Sequence, residues 1–137
     1  MKSPEEMLPQ LRVQAEEAAK LAYAPYSQFQ VGAALLLDDG RTVTGCNVEN
    51  LSYGLTSCAE RNAAFRAISE RGPGAKIVAV AVTNTLGAMC APCGACRQVL
   101  HEFAAADAVI TYRIEDGWAT RPFHELLPDA FVMKSEG

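Results

Sequence analysis

The spacing of apolar residues predicts a helix in the first part of the chain. Apolar residues recur there on one helical face, at Leu11, Ala15, Ala18 and Ala22. Recurrence at intervals of three and four residues is typical of a helix that packs one side against a core. We place the start of this helix near Pro9, because a proline deeper inside a helix would break it.

Shorter segments further along the chain predict β-strands. They lie at residues 31–37, 41–45, 77–82, 109–112 and 118–120. Residues 31–37 and 77–82 are continuous apolar runs, which is typical of strands that are covered on both faces. The dipeptide Asp39-Gly40 lies between the first two segments and predicts a hairpin turn that joins them.

Helices are predicted between these strands. Ser57 is a good N-cap, so one helix should begin there and end near Arg71, before the C-cap and linker signal Gly72-Pro73-Gly74. Pro92 suits the first position of a second helix, and a short helical turn is expected at residues 123–127. This alternation predicts an α/β fold: a three-layer α/β/α sandwich with a mixed five-stranded sheet and parallel pairing around the two helices.

Length and composition indicate a small globular protein. The chain has 137 residues, which suits one domain, residues 1–137, and is too short for two. Half of the residues are apolar, yet no apolar run approaches the roughly 20 residues that cross a bilayer. The first six residues contain no apolar stretch, so a secretory signal is not expected.

Charge and cysteine usage narrow the possible partners. The net charge of −4 argues against a nucleic-acid polymer, because phosphate backbones are bound mainly through Lys and Arg. The five cysteines form an odd set, which suits a reducing compartment better than a disulfide framework. We therefore expect a cytoplasmic protein with no membrane partner.

Three cysteines and one glutamate form the most informative pattern in the chain. The tripeptide Cys58-Ala59-Glu60 is answered later by Cys93 and Cys96, which lie one helical turn apart. A catalytic zinc usually has three protein ligands and keeps its fourth position for water. Three thiolates beside an unligated carboxylate therefore predict a zinc ion that activates water, with Glu60 as general base. The predicted ligands are Cys58, Cys93 and Cys96, with one zinc ion per subunit.

Each part of this pattern also has a simpler explanation. Ser57 and Glu60 have the spacing of a capping box, which requires no chemistry. A lone cysteine is often a small buried apolar residue, and Cys-x-x-Cys also occurs in redox pairs and structural zinc sites. Cys90 has the same three-residue spacing and is the main rival ligand, whereas His101 and His124 have no ligand spacing to the motif. The joint occurrence favours the catalytic site.

The chain resembles a known family along most of its length. Its Cys-Ala-Glu motif and the segment Pro-Cys-Gly-Ala-Cys-Arg-Gln at residues 92–98 are similar to those of the zinc-dependent cytidine deaminases, in their short free-nucleoside branch. The similarity also includes residues 22–27, 29–34, 45–50 and 126–131. It implies hydrolytic deamination of cytidine and deoxycytidine to uridine and deoxyuridine, with release of ammonia, in pyrimidine salvage.

The resemblance implies roles for further residues. Asn47 and Glu49 are similar to groups that hydrogen-bond the ribose hydroxyls, although each is also an ordinary polar loop residue. Phe29 is similar to an aromatic that packs on the nucleobase, and an apolar core position is its alternative. Tyr53 and Ala59 are expected to be further substrate contacts, and packing alone is the alternative for Tyr53.

Three more residues complete the predicted site. Phe131 is similar to an aromatic that reaches into a neighbouring subunit's site, which implies a homotetramer with shared sites. Arg61 and Arg97 directly follow Glu60 and Cys96. Three thiolates and one Zn²⁺ leave a net charge of about −1, so arginines that donate to the sulfurs would make the metal a stronger Lewis acid. Solvated helix cations are the alternative for both arginines.

The expected substrate is a small nucleoside. Glu60 would take a proton from zinc-activated water, whose oxygen attacks C4 of the cytosine ring, and pass that proton to N3. Three alternatives remain open: a blasticidin S-type or other nucleobase deaminase, a nucleic-acid deaminase, and a non-enzymatic zinc module. Residues 47–50 favour ribose recognition, and nucleic-acid-editing relatives typically have histidine in place of Cys58. A structural zinc would need a fourth protein ligand.

Overall fold

A five-stranded mixed sheet forms the centre of the molecule. The computed structural model describes residues 2–133; Met1 and residues 134–137, which the single-domain prediction includes, lie outside the described residues. The strands are β1 (Val31–Leu37), β2 (Thr42–Cys46), β3 (Ile77–Asn84), β4 (Ala104–Ile114) and β5 (Gly117–Pro122). The α-helices in this part of the chain are α1 (Pro4–Ala19), α2 (Ala59–Arg71) and α3 (Gly94–Phe103), and short 3-10 helices span Tyr53–Leu55 and Phe123–Leu126. Of the helices within residues 2–133, none combines the length and apolar character needed to span a membrane.

All five predicted strands are present, in the spatial order β2-β1-β3-β4-β5. Strand β1 is antiparallel to both β2 and β3, β3 and β4 are parallel, and β5 is antiparallel to β4. The parallel pairing predicted around both helices is therefore found only across α3. The prediction is wrong for α2, which connects β2 to β3. These two strands do not pair, because β1 lies between them and forms a hairpin with β2.

Alternate residues of the central strands face two separate apolar cores. On one face of the sheet, Ala34 of β1 packs in a cluster with Leu11 of α1. The next residue, Leu35, belongs to a larger core on the other face, together with Ala63 of α2 and Leu100 of α3. Successive strand residues point to opposite faces, so a continuous apolar run is what a strand between two cores requires. The predicted three-layer α/β/α sandwich is confirmed.

Helix α1 begins earlier than predicted. Its N-cap is Ser3, whose Oγ accepts from the Glu6 backbone N–H at 3.2 Å, while Glu6 Oε1 accepts from the Ser3 backbone N–H at 3.0 Å. Pro4 occupies the first helical position, where no intrahelical hydrogen bond is lost. The predicted start at Pro9 is wrong, because this capping box begins the helix upstream and Pro9 lies in its interior.

Two glycines allow α1 and α2 to lie directly against the hairpin of β1 and β2. A Cβ atom on Gly32 would lie 2.0 Å from the carbonyl oxygen of Ala15 in α1. A Cβ atom on Gly45 would lie 2.4 Å from the backbone nitrogen of Ala63 in α2. Favourable contacts between non-bonded carbon atoms lie at about 3.5–4.0 Å. Only glycine therefore permits the helix backbone to approach the strand backbone at these two points.

The two helices that carry the cysteine motifs begin later than predicted. The N-cap of α2 is Cys58 instead of Ser57, and the N-cap of α3 is Cys93, so Pro92 precedes the helix. Ser57 Oγ forms a hydrogen bond with Asn62 Oδ1 at 2.7 Å. Ser57 is therefore not the capping residue, and a capping box no longer explains the glutamate that follows.

Candidate active site

Three cysteine thiols converge where α2 and α3 begin. The Sγ atoms of Cys58, Cys93 and Cys96 all lie within 4.8 Å of one another, and those of Cys93 and Cys96 are 3.4 Å apart. Cys58 and Cys93 are the two N-caps, and Cys96 lies in the first turn of α3. Backbone N–H groups without intrahelical partners point toward a helix start and favour thiolate over thiol.

Cys58 and Cys96 shift each other's pKa values. The pKa of Cys58 is lowered to about 5, first because of its hydrogen bond with Cys96 and then because Arg61 donates to its sulfur. The pKa of Cys96 is raised by the same hydrogen bond with Cys58 and by burial, since Cys96 is fully buried. Metal ligands must be deprotonated, so a bound dication would replace the thiol protons.

The two arginines next to the motif make different contacts. Arg61 Nη2 donates to Cys58 Sγ at 3.2 Å, as expected of a cation that withdraws charge from a thiolate. Arg97 donates to two carbonyl oxygens, from Nε to Pro92 at 2.7 Å and from Nη1 to Leu126 at 2.9 Å. The contact predicted between Arg97 and a sulfur is not formed, because these two carbonyl oxygens take the guanidinium donors instead. Arg97 instead ties the start of α3 to the C-terminal 3-10 helix.

Glu60 is a buried carboxyl group beside the thiols. It lies in the first turn of α2 and is only 5% exposed. Burial raises the pKa of Glu60 to about 7, and the charge of nearby Cys58 also raises it. A carboxyl group with a pKa near neutrality can both accept and release a proton, which is what general acid–base catalysis requires.

A cleft of about 400 Å³ opens beside these groups and includes Cys58, Glu60 and Cys93 in its wall. A cleft of about 490 Å³ lies between α1, β2 and α2, but the thiol group and Glu60 do not line it. The reactive groups therefore make the smaller cleft the candidate active site. Four of the predicted substrate-binding residues also line it, namely Phe29, Asn47, Glu49 and Ala59.

Two predicted substrate contacts lie outside the cleft of their own chain. Tyr53 belongs to the 3-10 helix Tyr53–Leu55 and is 78% exposed. Phe131 is 84% exposed, and its carbonyl oxygen accepts a hydrogen bond from Gln98 Nε2 at 3.1 Å. The structure therefore does not bring either ring to the reactive groups of the same chain.

Asn47 and Glu49 follow β2 and bind the segment that precedes β1. Asn47 Oδ1 accepts from the Val31 backbone N–H at 2.8 Å, and Asn47 Nδ2 donates to the Phe29 carbonyl oxygen at 2.9 Å. Glu49 Oε1 accepts from the Tyr26 backbone N–H at 2.9 Å. Both side chains thus shape the loop that carries Phe29, a role that the sequence did not indicate.

The cleft also contains residues to which sequence analysis gave no binding role. Cys90, the rival ligand, lines the cleft but is not part of the group of three thiols. Ser27 lines it too, and its Oγ accepts from the Phe29 backbone N–H at 3.0 Å. A serine two residues before its partner is a known turn signal, which could have identified Ser27. The other residues that line the cleft without a predicted binding role are Val31, Thr56, Val82, Met89 and Ala91.

The donor set suits zinc. Three soft sulfur ligands lie close together, and within residues 2–133 no fourth cysteine, histidine or carboxylate joins the group. Three protein ligands leave one position for water, and Glu60 lies close enough for its pKa to respond to the Cys58 charge. Three protein ligands and an open position beside a buried carboxyl group are typical of a hydrolase that activates water on zinc.

Comparison with known families identifies the class more closely. Residues 6–112 match the family described as cytidine and deoxycytidylate deaminase zinc-binding region. The chain belongs to this family. Membership confirms the resemblance seen in the motifs, the assignment to a hydrolytic enzyme, and zinc as the cofactor.

Relatives that match most of the chain agree with this assignment. The chain is 50% identical over 121 residues to a cytidine deaminase of Mycobacterium tuberculosis, covering 88% of this chain and 86% of that protein. It is 48% identical over 128 residues to a cytidine deaminase of Halalkalibacterium halodurans, covering 93% of each. The crystal structure of a cytidine deaminase from Burkholderia pseudomallei is 44% identical, with a TM-score of 0.82, and the match covers 90% of this chain and 98% of that chain.

Proposed function

We propose that this protein converts cytidine and deoxycytidine to uridine and deoxyuridine by hydrolysis, with release of ammonia, in cytoplasmic pyrimidine salvage. One observation carries the proposal: the buried Glu60 lies beside three thiols in the wall of a cleft. Deamination of a cytosine ring requires an activated water and a group that moves its protons. Relatives at 50% and 48% identity named as cytidine deaminases support the choice of nucleoside.

Glu60 performs the proton transfers in the proposed mechanism. Cys58, Cys93 and Cys96 would hold one zinc ion per subunit, which would supply a Lewis acid that lowers the pKa of a water molecule. Glu60 accepts one proton from this water while the oxygen adds to C4 of the ring, and delivers the proton to N3. It then carries the second proton to the exocyclic amine, which leaves as ammonia. A pKa of about 7 allows Glu60 to take and return protons near neutral pH.

The remaining wall of the cleft binds the nucleoside in this proposal. Phe29 packs on the base and Ala59 contacts the substrate from the first position of α2. Asn47 and Glu49 hydrogen-bond the ribose hydroxyls, because the Asn47 amide keeps a second proton and the Glu49 carboxylate keeps one free lone pair on Oε2. A site that binds a hydroxyl in this way rejects analogues that lack it more strongly than an apolar pocket does.

The test is incubation of the purified protein with cytidine, with uridine and ammonia as the measured products. Equal amounts of both products are expected, formed at least about 10²-fold more slowly by the Glu60→Gln variant under the same conditions. Blasticidin S and single-stranded DNA or RNA are assayed in parallel. Turnover of blasticidin S without turnover of cytidine would contradict the proposal, and so would editing of the polymer alone.

Cobalt substitution separates an enzyme from a zinc-stabilised module. The proposal requires three sulfur ligands and one exchangeable position, so the visible spectrum of the cobalt protein should change when a nucleoside is added. A spectrum of four sulfur ligands that does not respond to nucleoside would indicate a closed site. Cys90 would then be the fourth ligand, since it lines the same cleft.

We also propose a homotetramer in which Phe131 completes a neighbouring subunit's site, with residues 1–137 forming one domain in each subunit. Phe131 is 84% exposed and does not line its own cleft. A contact between subunits would cover large apolar side chains that are exposed in the single chain. Several of these lie between 70% and 79% exposed, namely Leu21, Leu51, Tyr53 and Leu55.

A further inference from the structure

The segment between α1 and β1 carries Phe29 along the cleft with an uncommon backbone conformation. Residues 24–30 belong to no helix or strand. Gln28 has a φ of 59°, in the left-handed region that is unfavourable for residues other than glycine. Such a conformation persists where surrounding contacts hold it in place. These contacts come from Glu49, which follows β2.

A chain of hydrogen bonds runs from Glu49 through Ser27 to Phe29. Glu49 Oε1 accepts from the backbone N–H groups of Tyr26 at 2.9 Å and Ser27 at 3.1 Å. Ser27 Oγ donates to Glu49 Oε2 and accepts from the Phe29 backbone N–H at 3.0 Å. The hydrogen bond from the Ser27 hydroxyl lowers the pKa of Glu49 from its ordinary value. The carboxylate is therefore ionised at neutral pH, and hydrogen bonds to an ionised group are the stronger ones.

We propose that Ser27 is a positioning residue that fixes the separation between the base contact Phe29 and the sugar contact Glu49. Its hydroxyl contacts both, since it donates to the Glu49 carboxylate and accepts from the Phe29 amide. The inference rests on the proposed function for the substrate, whereas the hydrogen-bond chain exists without any substrate.

A fixed separation matters because a nucleoside holds its base and sugar at a nearly constant distance. A loop that already has the bound shape loses less conformational freedom when the substrate binds. Glu60 and the thiols lie on α2 and α3 and make none of the contacts of Ser27. Loss of the Ser27 hydroxyl should therefore weaken binding and leave the chemical step nearly unchanged.

The experiment compares Ser27→Ala with Ser27→Thr, which keeps the hydroxyl, and with Ser69→Ala, which removes an exposed serine hydroxyl at the far end of α2. Steady-state kinetics with cytidine should show KM raised roughly 3- to 10-fold in Ser27→Ala, as for loss of one hydrogen bond. Its kcat should stay within about twofold of the parent because the proton transfers are untouched. Zinc content should not change. Ser27→Thr and Ser69→Ala should behave as the parent.

Hydrogen exchange of the substrate-free proteins supplies the second readout. The amides of Tyr26, Ser27 and Phe29 are donors in the hydrogen-bond chain, so Ser27→Ala should speed exchange in residues 24–30 and leave α2 and α3 unchanged. Gln28→Pro cannot adopt a positive φ and also loses the hydrogen bond from the Gln28 N–H to the Ala24 carbonyl oxygen at 2.9 Å. It should raise KM in the same way, although the Ser27 hydroxyl and the Glu49 carboxylate remain.

Several outcomes would overturn the proposal. They are an unchanged KM in Ser27→Ala, a fall in kcat at constant KM, or faster exchange throughout the chain, which would mean a general loss of stability. A parent protein that produces no uridine from cytidine would instead count against the proposed function. In that case exchange in residues 24–30 still decides whether Ser27 orders the segment.

Discussion

The metal group and the nucleoside group of the cleft are held in place by different means. The metal group (Cys58, Glu60, Cys93 and Cys96) lies at the starts of α2 and α3, so two regular helices packed on the sheet fix its geometry. The nucleoside group (Phe29, Asn47 and Glu49) lies on loops, and hydrogen bonds between those loops fix its geometry.

This difference predicts which amino-acid substitutions each group should tolerate. Helix starts repeat the same backbone geometry in every protein, so the metal group depends mainly on the identity of its own side chains. Loops depend on neighbours that are distant in sequence, so the nucleoside group should respond to substitutions outside itself. The following predictions test this contrast, from the largest expected effect to the smallest.

The largest effect is expected from the thiol ligands. Cys58→Ala, Cys93→Ala and Cys96→Ala should each lose zinc and activity and unfold at lower temperature, because metal binding contributes to folding free energy. Elemental analysis and thermal unfolding measure both effects. Cys90→Ser is the matched control and should keep one zinc per chain. A Cys90→Ser protein without zinc, beside a Cys96→Ser protein that retains it, would reverse the ligand assignment.

Glu60→Gln should keep the fold and the zinc but lower kcat by about 10²–10⁴-fold or more, since general acid–base catalysis contributes that much. The change should be in kcat and not in KM. Glu70→Gln is the control on the same helix; it removes only an exposed 2.6 Å ion pair with Arg66, and activity should stay at the parent level. A Glu60→Gln variant with half of the parent activity would leave Glu60 a structural role only.

Asn47→Ala and Glu49→Ala should each lower kcat/KM, because a hydroxyl of the substrate loses its partner. The expected loss corresponds to about 1–3 kcal/mol of transition-state stabilisation. The two variants should differ in thermal stability. Asn47 is buried and hydrogen-bonds the backbone on both sides of Gln30, so Asn47→Ala should also lower the unfolding temperature. Cytosine without its sugar should be a poor substrate of the parent protein. Equal turnover of cytosine and cytidine would remove both residues from the sugar site.

The smallest effect is expected from Phe131→Ala. Loss of an aromatic contact should weaken substrate binding by about 0.5–1.5 kcal/mol, which would be measured as a raised KM. If Phe131 acts across an interface, mixing Phe131→Ala subunits with Glu60→Gln subunits restores some sites in which both groups are intact. Activity per intact Glu60, measured at a cytidine concentration below KM, should then be higher in the mixture than in Phe131→Ala alone. Light scattering that finds a fully active monomer would contradict this prediction.

The sequence predicted the strands and the convergence of Cys58, Cys93 and Cys96 well because both depend on local pattern. The run at residues 31–37 became β1 over the predicted residues. Helix starts were less accurate, since several polar residues compete for each N-cap. The Ser57 hydroxyl bonds Asn62 instead of capping α2. At α1, Ser3 and Glu6 were visible as a capping box, and the prediction gave Pro9 too much weight.

The contacts of the loops could not be predicted in the same way. Ser27 bonds Glu49 across 22 residues and Arg97 bonds Leu126 across 29 residues. Nothing in the local pattern relates such partners, because they meet only after the sheet and the helices have assembled. Phe131 is the extreme case, since its proposed partner lies in another copy of the chain.

Close contact between helices and the hairpin has a consequence for mutational tolerance. Gly32 and Gly45 do not line the cleft, yet a methyl group at either position would overlap the backbone of a helix. In a library of all single substitutions, both positions should fail with every residue, alanine included. A map of tolerance made without a structure would place these glycines among the catalytic residues, although what they supply is room for a helix.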